Sequence, residues 1–266
     1  MNTRMKAILN VLFFLATVAV NALGATGGIN GLSQKVVSDR YDTLITPAPF
    51  AFSIWGVLYV LLLATLLFLL IRHKTESVGR VVDQISPLFW VSSVMNIAWI
   101  VAFSYEQIGL STVLILGLAV SLALINLRLK SASGMAARLG GLTFGLYNGW
   151  LLIATFVNVA AWLVKAGWDG FGLAPATWTL IILVLALVGT LVIQFSLRNA
   201  ALTLPIAWAY YGIFSRHSAT GFWQGQYPQV STTALIGVVA AVAITVGIFL
   251  WNQRCVLPLT EGQRNG

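Results

Sequence analysis

The sequence is poor in charge: 8% of its 266 residues are charged, while 59% are hydrophobic. A soluble globular domain carries about 25% charged residues, so a water-soluble fold would lack the polar residues to cover its surface. Cys255 is the only cysteine, which excludes a disulfide framework and a thiolate metal cluster. The two histidines, His73 and His217, lie next to basic residues in polar stretches. We therefore exclude a bis-histidine haem inside a bundle and predict no metal site.

Long apolar runs are what the chain has instead. Runs of about 20 residues recur along its whole length, which is the length a helix needs to cross hydrocarbon. The stretch from Val60 to Ile71 does not alternate apolar and polar residues, as a strand of a transmembrane β-barrel would. We predict an all-α, polytopic membrane helix bundle of about eight transmembrane helices. The predicted spans are Ala7 to Thr26, Pro47 to Ile71, Ile85 to Tyr105, Ile108 to Leu127, Leu139 to Val164, Ala174 to Phe195, Asn199 to Phe214 and Ser231 to Trp251.

Two of these spans have alternative interpretations. The first could be a signal peptide cleaved after the small residues Ala22 and Gly24, but its apolar run is longer than a typical signal core. That length favours a retained span. The seventh is short and contains Pro205, which removes a backbone donor and favours a kink. Hydropathy supports this span least.

The basic residues predict the orientation. With eight spans, all of them fall on one side except Lys35, Arg40, Lys165 and Arg216. This bias predicts a plasma-membrane protein with both termini in the cytoplasm. Because the basic residues are scattered, the net charge of +8 indicates topology, and we predict no nucleic-acid partner. The two long loops, 27–46 and 215–230, lie on the outer side and are natural lids.

Ionisable side chains are missing from the predicted spans except near their ends. Proton-coupled transport and hydrolysis inside a membrane need such groups, so we expect no catalytic residues and no conventional hydrolytic activity. Glu106 lies in the tight turn after the third span and is interpreted as a solvated loop charge. Asp39, Asp42 and Asp169 are likewise placed in loops.

The span interiors do contain aromatic and amide side chains at helical spacing. These could be ordinary packing with amides joining helices, or they could line a ligand pocket. They are Phe52, Trp55 and Tyr59 in the second span, Phe89, Asn96, Trp99 and Phe103 in the third, and Trp150, Ala154 and Asn158 in the fifth. Trp90, Trp168, Trp178, Trp223 and Trp251 lie near span ends and are interpreted as interfacial anchors.

The fifth span also carries Gly141, Gly145 and Gly149, a doubled small-xxx-small pattern. Such a pattern lets a neighbouring helix approach closely, and we interpret it as internal packing. A dimer face is the alternative, so a homo-oligomer stays open.

Three segments resemble motifs of the tryptophan-rich sensory protein family (TspO/MBR), the relatives of the translocator protein. They are PAPFAFSIWGVLY from Pro47 to Tyr59, MNIAW from Met95 to Trp99, and LYNGWLLIATFVNVAAW from Leu146 to Trp162, in the family's order and spacing. Departures are Leu146, where the family has proline, and Phe50, where it has tryptophan. The resemblance implies a five-helix transmembrane unit at 1–165, followed by three additional helices at 166–254 and a short cytoplasmic tail at 255–266.

The resemblance also implies a function. Family members bind tetrapyrroles in a pocket among the five helices, closed by the first loop. The corresponding residues here would be Trp55, Asn96, Trp99, Trp150 and Ala154, with Tyr59, Tyr147 and Asn158 in pocket or structural positions and Phe52 on the same face as Trp55. No cofactor is required, and a porphyrin is the possible bound ligand. Because the spans hold no internal histidine or cysteine, we expect metal-free tetrapyrrole to be preferred over haem.

Four functions are consistent with these observations. The leading hypothesis is a binding protein that senses, sequesters or transfers a hydrophobic ligand. The others are a transporter of a small neutral solute, an enzyme acting on a lipid or on bound porphyrin, and a partner subunit without a small ligand. The absence of acid and base groups within the spans disfavours the enzyme.

Overall fold

The computed structural model describes residues 1–259, which fold into nine α-helices without any strand. Seven of these helices, all except α2 and α8, are long and apolar enough to cross a membrane. This confirms the all-α polytopic bundle. The helices are α1 (Thr3–Thr26), α2 (Gln34–Arg40), α3 (Ile54–Ile71), α4 (Glu76–Ser104), α5 (Ile108–Lys130), α6 (Gly134–Lys165), α7 (Pro175–Leu197), α8 (Leu204–His217) and α9 (Pro228–Trp251).

Two helical segments differ from the prediction. Helix α4 begins at Glu76, well before the predicted Ile85, because Val78, Val81 and Val82 are buried and extend its packed face. The first long loop contains α2, whose start is capped by Ser33: its hydroxyl accepts a hydrogen bond from the amide of Val36. The loop is thus partly helical.

Five helices form a closed ring. Helix α1 packs against α3 and α4, α5 packs against α4 and α6, and α6 returns to α3. Polar side chains join the walls: Asn10 donates to Ser86 over 2.9 Å, and the hydroxyls of Thr65 and Thr143 lie 2.8 Å apart. A short 3₁₀ helix, Pro49–Ser53, leads into α3, so the predicted second span is not one continuous α-helix.

Helices α7, α8 and α9 form a second layer on the outside of α6. Helix α9 packs against both α7 and α8, and α8 contacts α6 and the 3₁₀ helix before α3. These are the additional C-terminal helices expected from the sequence, and the division near residue 165 stays a prediction. Of the predicted tail, 255–259 lie in the described part of the chain and 260–266 lie outside it.

The seventh predicted span is a broken crossing. Helix α8 has 14 residues, about 21 Å, which is too short to cross about 30 Å of hydrocarbon by itself. The chain before it runs without helical structure from Arg198, which contacts the end of α9, and α8 ends where His217 contacts the first long loop. The stretch 198–217 therefore joins the two ends of the bundle. We call the end with the start of α1 the terminal side and the end with 27–46 the lid side.

The unwound residues of this crossing are buried and hydrogen-bonded inside the protein. Asn199 is fully buried, and its amide side chain donates to Asn126 and to the carbonyl of Gly141. Its backbone amide donates to Gln194, whose side chain donates back to the carbonyl of Asn199. The amide of Ala200 donates to the Val256 carbonyl. Non-helical backbone at membrane depth is tolerated under this condition.

The glycines of α6 form the groove that receives this stretch. A Cβ atom on Gly145 would lie 2.6 Å from the Asn199 amide, and one on Gly141 would lie 2.6 Å from Leu257. A Cβ on Gly149 would overlap the carbonyl oxygen of Leu202. The interpretation of these glycines as internal packing is confirmed, because the residues that fill the groove belong to the same chain.

Gly149→Ala should therefore destabilise the protein by about 1–3 kcal/mol, because the new methyl group meets backbone and forces the crossing away from α6. The matched control is Gly189→Ala in α7, where nothing lies within 4 Å of an added Cβ. That change should be neutral or stabilising, since alanine favours helix. Thermal unfolding in detergent measures both, and equal effects of the two substitutions would contradict the groove.

Candidate functional site

Several aromatic side chains among the predicted site residues meet inside the ring, around Trp55. Its ring is nearly parallel to Trp99, with centroids 6.3 Å apart, and to Tyr59, at 5.6 Å. The edges of Trp150 and Tyr147 meet it at 6.4 and 6.0 Å. Helices α3, α4 and α6 thus bring five rings together. We call Trp55, Tyr59, Trp99, Tyr147 and Trp150 the aromatic cluster.

The local structure explains this convergence. Trp55 and Tyr59 are one turn apart on α3, and Tyr147 and Trp150 are one turn apart on α6, so each pair shares a face. Phe52 precedes α3 in the 3₁₀ helix, and its ring meets the edge of Trp150 at 6.0 Å. Phe52 is also 42% exposed, so it borders the cluster from outside.

A buried amide chain holds the cluster in place. Asn21 of α1 donates to the side-chain oxygen of Asn96 over 2.6 Å, and Asn96 donates to the hydroxyl of Tyr147 over 2.8 Å. Asn96 is fully buried. The chain thus joins α1, α4 and α6 and fixes the Tyr147 ring. Asn21 was not among the predicted site residues, although an amide within an apolar span was a visible signal.

Asn158 and Ala154 are packed against other parts of the bundle. The indole of Trp99 donates to Asn158 over 3.1 Å, and the Asn158 amide donates to the hydroxyls of Ser111 and Thr112. Asn158 therefore joins α4, α5 and α6 and orients Trp99. Ala154 is half-buried, one turn from both Trp150 and Asn158, and packs against the core.

The cluster is closely packed. The cavity beside it measures about 10 Å³ and is lined by residues that include Phe14, Phe89, Tyr59 and Tyr147. This volume holds about one water molecule. Trp55 and Trp99 are only half-buried, unlike Trp150. A large ligand would therefore reach the cluster only if the rings separate, and the exposed side lies toward Phe52.

Glu106 anchors the first loop, and its interpretation as a solvated charge is wrong. The hydroxyl of Tyr41 donates to its carboxylate over 2.7 Å, and Arg40 pairs with the same group. Lys165 donates to the Glu106 carbonyl. The hydrogen bond to Glu106 is the largest of the causes that raise the pKa of the Tyr41 hydroxyl. Helix α2 is thereby tied to the turn between α4 and α5.

A second anchor joins the two predicted lids. Arg216 pairs with Asp42 at 2.7 Å, and the His217 ring nitrogen Nε2 lies 2.8 Å from the carbonyl oxygen of Leu44. Trp223 stacks on the His217 ring, at 6.1 Å between centroids. The prediction that Arg216 and His217 lie at the start of a polar loop is wrong: they are the buried last residues of α8. A basic pair directly after an apolar run was the available signal.

Helix α8 also supports the entrance to α3. The indole of Trp208 donates to the Ala51 carbonyl over 2.9 Å, and the amide of Ala48 donates to the Gly212 carbonyl over 3.1 Å. The 3₁₀ helix that carries Phe52 is therefore held by the broken crossing. The second layer of helices contacts the border of the aromatic cluster through this segment.

A five-helix ring of apolar helices around a tryptophan-centred cluster, with a loop anchored across one end, defines a polytopic helical membrane protein. A family model described as TSPO-like protein matches residues 7–248. The chain belongs to this family, and the match continues from the ring through α7, α8 and most of α9. Searches of curated proteins and of solved structures found no match.

Arg216→Ala should destabilise the protein by about 3 kcal/mol, because it leaves the Asp42 carboxylate in a largely buried position without its partner. The control is Lys35→Ala, which removes the exposed pair with Asp39 and should cost less than about 1 kcal/mol. Thermal unfolding measures both effects. The same measurement on Asp42→Ala and on the double variant Arg216→Ala, Asp42→Ala gives the coupling energy between Arg216 and Asp42. A coupling near zero would show that the lids are not joined by this pair.

Proposed function

We propose that the aromatic cluster binds a flat hydrophobic ligand, with metal-free tetrapyrrole as the leading candidate, in sensing, sequestration or transfer. The supporting observation is the arrangement of rings around Trp55: two nearly parallel neighbours and two edge-on neighbours, from three helices. A planar macrocycle gains most from stacked and edge-on aromatic contacts, with a few polar groups to orient it. Family membership supports the same proposal.

The cluster's chemistry favours a macrocycle without iron. Its side chains are indoles and phenols, with the Asn96 amide beside them, and they include no histidine, cysteine or methionine to ligate haem iron. The Asn96 amide and the Tyr147 hydroxyl, 2.8 Å apart, are polar groups at the cluster. Either could turn to a pyrrole nitrogen or a propionate when the cluster opens.

We propose that the ligand reaches the cluster from the lid side, and that this side faces away from the cytoplasm. The half-buried Trp55 and the exposed Phe52 lie toward the first loop. The bias of basic residues supports a cytoplasmic terminal side. Opening would involve the 3₁₀ helix held by Trp208 and the loop held by Arg216.

Titration with protoporphyrin in neutral detergent tests the site. Trp55→Phe and Trp150→Phe should each weaken binding about 2- to 12-fold, for the loss of an aromatic contact worth about 0.5–1.5 kcal/mol. Asn96→Ala should weaken binding to a similar extent through the loss of a hydrogen bond. The shift of the porphyrin Soret band is the readout, because it does not depend on the tryptophan that has been removed. Thermal unfolding checks that each variant is folded.

The matched control is Trp251→Phe, since Trp251 lies at the terminal-side end of α9 and away from the cluster. It should bind protoporphyrin as the parent protein does. Parent-like affinity in all three cluster variants would exclude the site. A low-spin haem spectrum that depended on a side chain inside the ring would exclude the preference for metal-free ligand.

A further inference from the structure

The C-terminal segment folds back over the start of α6 on the terminal side. Gln253 and Arg254 adopt φ values of 57° and 64°, a left-handed conformation that reverses the chain after α9. Beyond the reversal, Val256 accepts a hydrogen bond from the amide of Ala200 over 2.9 Å, and Leu257 is buried against Gly141. These contacts fix the segment's position, and left-handed residues other than glycine are often found at functional sites.

A cavity of about 280 Å³ lies between this segment and the turn from α5 to α6. We call it the tail pocket. Its apolar lining includes Ala137, Phe249 and Leu257, while Arg138 and Arg254 also line it. The pocket therefore combines an apolar surface with two guanidinium groups.

The electrostatics of the tail pocket favour an anion. Among residues 1–259, the ion pairs involve neither Arg138 nor Arg254. The pocket also borders the start of α6, where Ser133 makes no side-chain capping bond. The first amides of a helix carry partial positive charge. Both arginines are exposed, so an incoming ligand can contact them.

The pocket lies at the level expected for lipid headgroups. Arg198 stacks over the Trp251 ring at 4.2 Å at the same end of α9, and tryptophan is enriched at the boundary between hydrocarbon and water. Arginine binds phosphate oxygens through paired hydrogen bonds, and basic pockets on the cytoplasmic side of membrane helices suit anionic headgroups. A free phosphate ion would use the arginines but not the apolar lining.

We propose that the tail pocket binds the phosphodiester headgroup of an anionic phospholipid. Arg138 and Arg254 hold the phosphate, and the glycerol and first acyl carbons lie along Phe249 and Leu257. This site is separate from the aromatic cluster and does not depend on the porphyrin proposal.

Native mass spectrometry of the full chain, with phosphatidylglycerol or phosphatidylcholine added to neutral detergent, tests the proposal. The parent protein should retain phosphatidylglycerol preferentially. The double variant Arg138→Gln, Arg254→Gln should lower phosphatidylglycerol affinity at least about tenfold, and each single variant less. Phosphatidylcholine binding should not change. The lysine variants should give an intermediate loss, because they keep charge but not the paired hydrogen bonds.

The matched control is Arg72→Gln, a terminal-side arginine in the turn after α3 and outside the pocket. It should leave lipid binding unchanged, and thermal unfolding confirms that all variants are folded. Parent-like phosphatidylglycerol binding in the double variant would overturn the proposal. So would an equal loss in Arg72→Gln, which would indicate general surface charge. Equal competition by millimolar inorganic phosphate would show a site for free phosphate instead.

Discussion

The backbone between Arg198 and Thr203 leaves helical geometry inside the bundle, where hydrocarbon offers no hydrogen bonds. The protein supplies them through Gln194, Asn199 and Val256, and the glycine groove of α6 provides the room. The position of α8 follows from this arrangement. Because α8 is placed there, its last residues reach the first loop and its Trp208 reaches the start of α3. The lids and the border of the aromatic cluster thus depend on one unwound stretch.

Helix α6 connects this stretch to the candidate site. Gly149 and Trp150 are neighbours in sequence, yet Gly149 faces Leu202 in the second layer and Trp150 faces Trp55 inside the ring. Both layers therefore share one wall. The tail pocket borders the start of the same helix, near the place where Leu257 packs on Gly141. A displacement of α6 would therefore move residues at the unwound stretch, at the aromatic cluster and at the tail pocket.

The apolar runs were enough to predict the long helices, since each run is local in sequence. Helical spacing grouped aromatic residues within single spans, but a site shared by Trp55, Trp99 and Trp150 was implied only by the family resemblance, because these residues lie on three helices far apart in sequence. The joined lids could not be predicted in this way. Asp42 and Arg216 are separated by 174 positions, and nothing local indicates their pairing. The position of the unwound stretch could not be predicted for another reason. Hydropathy reports apolar character, but it does not report the hydrogen bonds that allow a helix to break inside a protein. Ligand binding at the cluster stays a prediction.

The broken crossing also constrains the order of assembly. An irregular stretch exposed to lipid is unstable until protein surrounds it, whereas α6 satisfies its own backbone and can insert first. Because α6 precedes Arg198 in the chain, the groove is synthesised before the residues that fill it. The later partners, the Asn252 side chain and the Val256 carbonyl, are synthesised only after α9. Synthesis of the segment after α9 is therefore the step that supplies the last of these hydrogen bonds to the seventh crossing.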